Sequence, residues 1–367
     1  MAVNLALTYA GLHKNTDVAA MISRRVALAA GVAVLVAPEF VARAADLPPD
    51  GSAAPPESTL TPLGIALEGY AYPYPQHTLP LHVQGVDVRM TYLDVAPAGP
   101  PRGVALLLHG RNFPAAYWQP VIDAFVARGW RVIAPDQLGF NASSKAELHY
   151  DFPLWADTTA QLLDALGVAQ VDLLVGHSIG GMMATTLAAR HAGRARRLLL
   201  EDPLGLEDYR VLVPEVTDAF LYDRELHMSA EGYRAFLATN YFPQWNERYE
   251  YLVTIRRRLA LSPGYPQWVR VYIQSYQQLH RTPIAATLRA LTIPVHLIVG
   301  ELDRNAPGKP YAPEAVRPQL GHNAELARAL VPTLHAGALD VLPGIGHCPH
   351  LDATDRFLAL ATAFAGA

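Results

Sequence analysis

The chain has 367 residues, 51% of them hydrophobic and 17% charged, a composition that suits a globular protein with a sizeable core and excludes a disordered chain. A formal net charge of −4 gives no electrostatic case for nucleic acid or an anionic membrane surface as partner. The single cysteine, Cys348, rules out an internal disulfide and a cysteine-built metal site.

The N-terminus differs from the rest. Ser23-Arg24-Arg25 precedes an apolar run from Val26 to Ala37, Pro38 ends the run, and Ala42-Arg43-Ala44 follows. A positive end, an apolar middle too short to span a bilayer and a small-x-small site form an export signal. The expectation is an exported, periplasmic or secreted protein cleaved after Ala44, with no stable membrane span in the mature chain. The paired arginines are weakly similar to a twin-arginine signal, although Ala27 stands where that signal has phenylalanine. Met21 suits this pattern as a start. Ala45 to Thr61, rich in Pro, Ser, Gly and Ala, reads as a linker.

From about residue 80 a rhythm of strands and helices sets in. Val86 to Val95 alternates as a strand does, and Val104 to Leu108 is a short apolar run. Ala115 to Arg128 has helical spacing, closed by Gly129. Trp130 to Ala134 is a strand, and Leu154 to Leu166 a helix stopped by Gly167. A strand at 171–175 runs into Gly176-His177-Ser178-Ile179-Gly180, followed by a helix at Met182 to His191 and a strand at Arg197 to Leu200. Near-continuous apolar strands alternating with helices imply a mostly parallel sheet covered on both faces. Between strand and helix, G-x-S-x-G is a nucleophile elbow, in which positions 176 and 180 have no room for a Cβ.

The rhythm breaks from Gly205 to His280, which holds 14 of the chain's 32 aromatic residues. With helical patches separated by Pro214, Pro243, Pro263 and Pro266, it reads as a helical cap over an apolar pocket. Arg256-Arg257-Arg258 reads as a solvated helix face. Strands resume at Val295 to Val299 and Ala338 to Leu342, with helices near Glu325 to Leu330 and from Thr354 to Phe364. The expected division is an export segment over 1–44, a linker and lead-in over 45–79, a core over 80–203 and 281–367, and a cap over 204–280.

A serine hydroxyl needs a base, and the base needs an orienting partner. In parallel sheets reactive groups gather at the carboxyl ends of strands, where Ser178, Asp303 and His347 follow one another. From about residue 85 onward the chain resembles the α/β-hydrolase superfamily. The resemblance lies in L-L-L-H-G-R-N-F at 106–113, A-P-D-Q-L-G-F-N-A-S at 134–143, G-H-S-I-G-G at 176–181, V-G-E-L-D-R at 299–304 and L-P-G-I-G-H at 342–347. It implies an α/β-hydrolase fold with Ser178 as nucleophile, His347 as general base and then acid, and Asp303 as orienter. It implies an oxyanion hole built from the backbone N–H of Ile179 and of Arg111, with Asn112 as the alternative. It also casts His109 as a brace for that loop and Asp136 with Gly139 as the turn after a strand, Asn141 replacing a glycine often found there. His350 is the rival base and Glu201-Asp202 the rival acid. His177 reads as a packing or pocket-wall residue, and Cys348 as structural and not reactive.

Serine at the elbow makes an acyl-enzyme from a carbonyl substrate. The expected function is hydrolysis of a small, apolar carboxylic ester, thioester or lactone. D-Q-L-G-F-N-A-S is also similar to carbon–carbon bond hydrolases of vinylogous diketones, which makes that reaction the alternative. A third reading is a non-catalytic, ligand-binding relative. The triad calls for no metal or organic cofactor, the partner is a small-molecule substrate, and nothing sets the oligomeric state.

Overall fold

The computed structural model describes residues 60–366. The expected export segment and the linker up to residue 59 lie outside the described residues. Eight strands make one sheet: β1 (Gln76–Val83), β2 (Val86–Val95), β3 (Gly103–Leu108), β4 (Trp130–Asp136), β5 (Leu173–His177), β6 (Leu198–Glu201), β7 (Val295–Gly300) and β8 (Gly337–Leu342). Their spatial order is β1-β2-β4-β3-β5-β6-β7-β8. β1 pairs antiparallel with β2, and β2 with β4; all other neighbours are parallel. β1 straddles the expected boundary between lead-in and core at residues 79 and 80. Its QHTLPLHV sequence is mostly exposed and carries Pro80, which an edge strand tolerates because its outer N–H groups need no partner.

The strand residues sort to two faces with a period of two. On β3, Leu106 and Leu108 join one core and Ala105 and Leu107 the other; on β5, Leu174 faces the first and Leu173 and Val175 the second. The first core takes α2 (Phe152–Ala165), α3 (Ile179–Arg190) and α10 (Asn323–Leu330) through Leu162, Leu187 and Ala327. The second takes α1 (Gln119–Ala127) and α11 (Thr354–Ala365) through Ile122, Phe125 and Phe357. Each fully buried side chain of this size contributes about 1.5–3 kcal/mol of transfer free energy. This two-sided burial explains why the central strands read as unbroken apolar runs.

The segment between β6 and β7 contains α4 (Tyr209–Leu212), α5 (Asp218–Leu226), α6 (Ala230–Asn240), α7 (Glu250–Ala260), α8 (Tyr265–Arg281) and α9 (Ala285–Ala290), and no strand. Thr217 and Ser229 cap α5 and α6 by accepting the N–H of Phe220 and Gly232. Pro266 sits in the first turn of α8, where its missing N–H costs nothing. Leu221, Leu259, Trp268 and Tyr272 form a third core with Leu63 and Leu67, so the described lead-in packs against these helices. The arginine run is not a solvated face. Arg256 is buried, its guanidinium 4.2 Å from the Trp268 ring centre and 2.7 Å from Glu225. Arg258 donates to the carbonyl of Thr61 at 2.8 Å. Among the described residues no helix is long and apolar enough to cross a membrane.

Candidate active site

Ser178 stands between β5 and α3 with φ 58° and ψ −120°, a conformation that L residues rarely adopt and that costs about 1–3 kcal/mol. The turn is as tight as the sequence implies. A Cβ on Gly176 would lie 2.3 Å from the Gly180 carbonyl oxygen, and one on Gly180 would lie 2.2 Å from that of Leu108. Ser178 is 0% exposed, makes no side-chain helix cap, and its hydroxyl has no hydrogen-bond partner. A buried, unsatisfied hydroxyl costs about 1–3 kcal/mol, so its place needs a reason other than stability.

Asp303 follows β7, and His347 follows β8. His347 Nδ1 lies 3.0 Å from Asp303 Oδ2, with both side chains at 0% exposure. Two further donors converge on the carboxylate: the Asn305 N–H at 2.9 Å and the Asn323 amide at 2.7 Å. The Asn305 side-chain amide donates to His347 Nε2 at 3.1 Å. Nε2 is therefore the acceptor and Nδ1 carries the proton, the tautomer a general base requires. In this state the lone pair of Nε2 points to Asn305 and not to Ser178.

His177 is more than a packing residue. Its Nε2–H donates to the His347 carbonyl at 2.7 Å, so its Nδ1 accepts from the Tyr117 hydroxyl at 3.0 Å. That hydroxyl in turn accepts the Gly110 N–H at 2.9 Å. One chain of bonds thus links the loop after β3 to the backbone of His347. Burial holds the His177 ring down to about 3, hence neutral. His109 braces the same loop, with Nδ1 on the Gly110 carbonyl at 2.8 Å and Nε2 accepting the Gln137 N–H at 3.0 Å. Among the described residues no backbone acceptor takes the N–H of Arg111, Asn112 or Ile179. The Asn112 side chain donates to the Tyr241 hydroxyl at 2.8 Å, and the Arg111 guanidinium lies 3.6 Å over the Tyr272 ring and donates to Ser275 at 2.8 Å.

The rivals are placed elsewhere. His350 Nδ1 lies 2.8 Å from both oxygens of Glu201, and its ring packs on Trp118 and Tyr117. Burial lowers the His350 ring well below its usual value and pushes Glu201 up to about 7. Asp202 accepts the Gly300 N–H at 3.0 Å, and burial, then the charge of Asp303, hold it well above the carboxylate range. Asp202, Asp303 and His347 are the one candidate metal-ligand set among the described residues, with ligand atoms within 4.8 Å. Two of those atoms, His347 Nδ1 and Asp303 Oδ2, are bonded to each other. Asp136 accepts the Ala115 N–H at 2.8 Å, and Asn141 takes φ 45°, the left-handed region a glycine favours. Cys348 is buried, and burial pushes its thiol up, away from reactivity.

Ser178 borders a cavity of about 480 Å³ between the β6–β7 helices and the strand ends. Its wall is mainly apolar, as expected, with Leu204, Met228, Phe236 and Leu279, and it also carries several cationic side chains, which the sequence reading did not anticipate. Asn305, Asn323 and Tyr117 were not singled out by sequence reasoning. Only the D-x-N spacing of Asp303 and Asn305 offered a signal, and it fits no motif.

A family model described as the alpha/beta hydrolase family matches residues 105–360. A solved structure of a probable hydrolytic enzyme from Pseudomonas aeruginosa PAO1 is 35% identical with a TM-score of 0.81, covering 83% of this chain and 98% of that one. A 2-hydroxymuconate semialdehyde hydrolase of Pseudomonas sp. (strain CF600) is 39% identical over 104 residues, 28% of this chain and 36% of that protein. One of Pseudomonas putida is 43% identical over 105 residues, 28% and 37%. The chain thus matches little more than a third of the length of these curated relatives.

Proposed function

The chain belongs to the alpha/beta hydrolase family, and on that footing we propose that it is a serine hydrolase cleaving a small carboxylic ester, thioester or lactone through an acyl-enzyme. One observation carries the reading: a buried, unpartnered Ser178 hydroxyl on a strained turn at a cavity wall, with the His347–Asp303 pair held in the base tautomer. The Ser178 hydroxyl replaces the Asn305 amide at His347 Nε2 and attacks the carbonyl carbon as its proton passes to Nε2. Asp303 stabilises the imidazolium, and the N–H groups of Ile179 and Arg111 take the oxyanion, each worth about 3–4 kcal/mol. Collapse expels the alcohol, which takes the proton back from His347. Water then repeats the sequence on the acyl group and frees the acid and Ser178.

A fluorophosphonate probe is expected to label Ser178 and to spare Ser178→Ala; a folded wild-type protein that stays unlabelled refutes the enzyme reading and leaves a ligand-binding one. The likeness to two 2-hydroxymuconate semialdehyde hydrolases favours a second reading, carbon–carbon bond hydrolysis of a vinylogous diketone by the same acyl-enzyme. p-Nitrophenyl esters of rising chain length, set against a ring-opened dienone, separate the two. The charge and apolar pattern ahead of Ala44 supports export, which sequencing the N-terminus of the mature protein checks.

A further inference from the structure

The cavity beside Ser178 is lined by five cationic side chains, Arg111, Arg224, Arg304, Lys309 and Arg317, and by one carboxylate, Glu225. The lining thus carries a formal +4 in a chain whose net charge is −4. Glu225 is already engaged, 2.5 Å from Arg224 and 2.7 Å from the buried Arg256. Arg111, Arg304, Lys309 and Arg317 belong to no ion pair among the described residues. Their donors go to the Ser275 hydroxyl and to backbone carbonyls. Carbonyl partners orient a cation without neutralising it, so the field in the cavity stays positive. Lys309 registers the crowding, lowered first by burial and next by Arg304. Arg304, Lys309 and Arg317 all stand on the segment that leaves Asp303, so the charged wall is built on the loop that carries the proposed triad acid.

We propose that the substrate is a small organic anion, with its scissile carbonyl at Ser178 and a carboxylate or phosphate group held by Arg304, Lys309 and Arg317. This deepens the hydrolase reading and rests on it. The cationic wall is a specificity determinant: it concentrates anions in the cavity and leaves the chemistry at Ser178 unchanged.

The test compares p-nitrophenyl pentanoate with the p-nitrophenyl monoester of glutaric acid, which has the same acyl length plus a free carboxylate. The monoester is expected to show a kcat/KM roughly tenfold higher or more at low salt, which corresponds to about 1.4 kcal/mol. The preference should shrink toward parity at ~1 M salt, where the screening length is about 3 Å. The double variant Lys309→Gln/Arg317→Gln should lose the preference, read as the ratio of monoester to pentanoate kcat/KM within the variant. In parallel, glutarate and inorganic phosphate are tested for slowing fluorophosphonate labelling of Ser178, in the wild type and the double variant. Protection by glutarate identifies a carboxylate, protection by phosphate identifies a phosphate, and either should vanish in the double variant. Equal ester rates with no protection by either anion, while Ser178 still labels, overturn the anionic substrate and leave the hydrolase reading standing. A Ser178 that does not label overturns both.

Discussion

His347 and His350 lie three residues apart, and each holds a fully buried carboxylate, Asp303 in one case and Glu201 in the other. Local geometry does not tell the pairs apart: Nδ1 meets the acid at 3.0 Å in the first and 2.8 Å in the second. The far nitrogen does. Nε2 of His347 meets Asn305, which borders the cavity, while Nε2 of His350 has no partner and its ring is closed in by Trp118 and Tyr117. The acids differ as well. Two N–H donors besides the imidazole converge on Asp303, whereas burial pushes Glu201 up toward neutrality. The proposed base is the imidazole whose second nitrogen meets a cavity-lining side chain, Asn305, whereas the other pair is closed inside a core.

The strongest way to break this contrast is to delete each imidazole. His347→Ala should lower kcat by roughly ten-thousandfold with the fold retained, as should Asp303→Asn, which disturbs the tautomer. His350→Ala should do the reverse. It removes a ring packed against two aromatics and strands a buried carboxylate, at a cost of about 3 kcal/mol of stability, while kcat per folded molecule stays within about tenfold. Ester turnover beside urea denaturation decides. A dead but stable His350→Ala would make the second pair the catalytic one.

A smaller effect is carried by His177, which ties His347 to the loop after β3. Its ring is held down to about 3 in the fold against an ordinary 6.5. Between those values the unfolded chain binds a proton that the folded chain does not. Stability from this residue is therefore complete above pH 6.5 and drains away as pH falls toward 3, with a slope approaching about 1.4 kcal/mol per pH unit. His109 and His350 are lowered too and act in the same direction, while Glu201, raised to about 7 from 4.5, opposes them between those values. His177→Gln keeps a donor for the His347 carbonyl and cannot titrate. Denaturation curves at pH 4, 5 and 6 should show a shallower pH slope in the variant. An unchanged slope would mean that His177 is charged in the fold.

What the sequence made legible followed from local rules. Apolar runs at β3, β5 and β7 are readable because both faces of each strand are buried. Gly176 and Gly180 are readable because backbone carbonyls stand where a Cβ would go. Asn141 could be read as a glycine substitute because its φ of 45° suits asparagine better than most residues. What stayed hidden depends on partners far along the chain. β1 is exposed and interrupted by Pro80, so its pairing with β2 leaves a faint periodicity. Arg256 sits in a run of three arginines, and nothing nearby announces that Glu225 and Trp268 will enclose it. The charge of the cavity was invisible for the same reason: Arg111, Arg224 and the 304–317 loop meet only once the helices fold over the sheet.

The smallest expected effect tests the acid side of the contrast. Asp202 and Asp303 are neighbouring buried carboxylates, and burial, then the charge of Asp303, push Asp202 well above the usual carboxylate range. A carboxamide has the shape of the carboxyl, carries no charge and keeps a carbonyl acceptor beside its NH2 group, so Asp202→Asn should be nearly silent. The backbone should tolerate it too, since residue 202 has φ 39° and asparagine is among the residues that accept positive φ. The expected change is under about 1 kcal/mol in stability and under about threefold in kcat, within the range of volume-conserving exchanges. The same substitution at Asp303 should cost roughly ten-thousandfold. If Asp202→Asn proved as damaging as Asp303→Asn, the negative charge that serves His347 would belong to both carboxylates, and the orienting acid would have to be assigned to the pair.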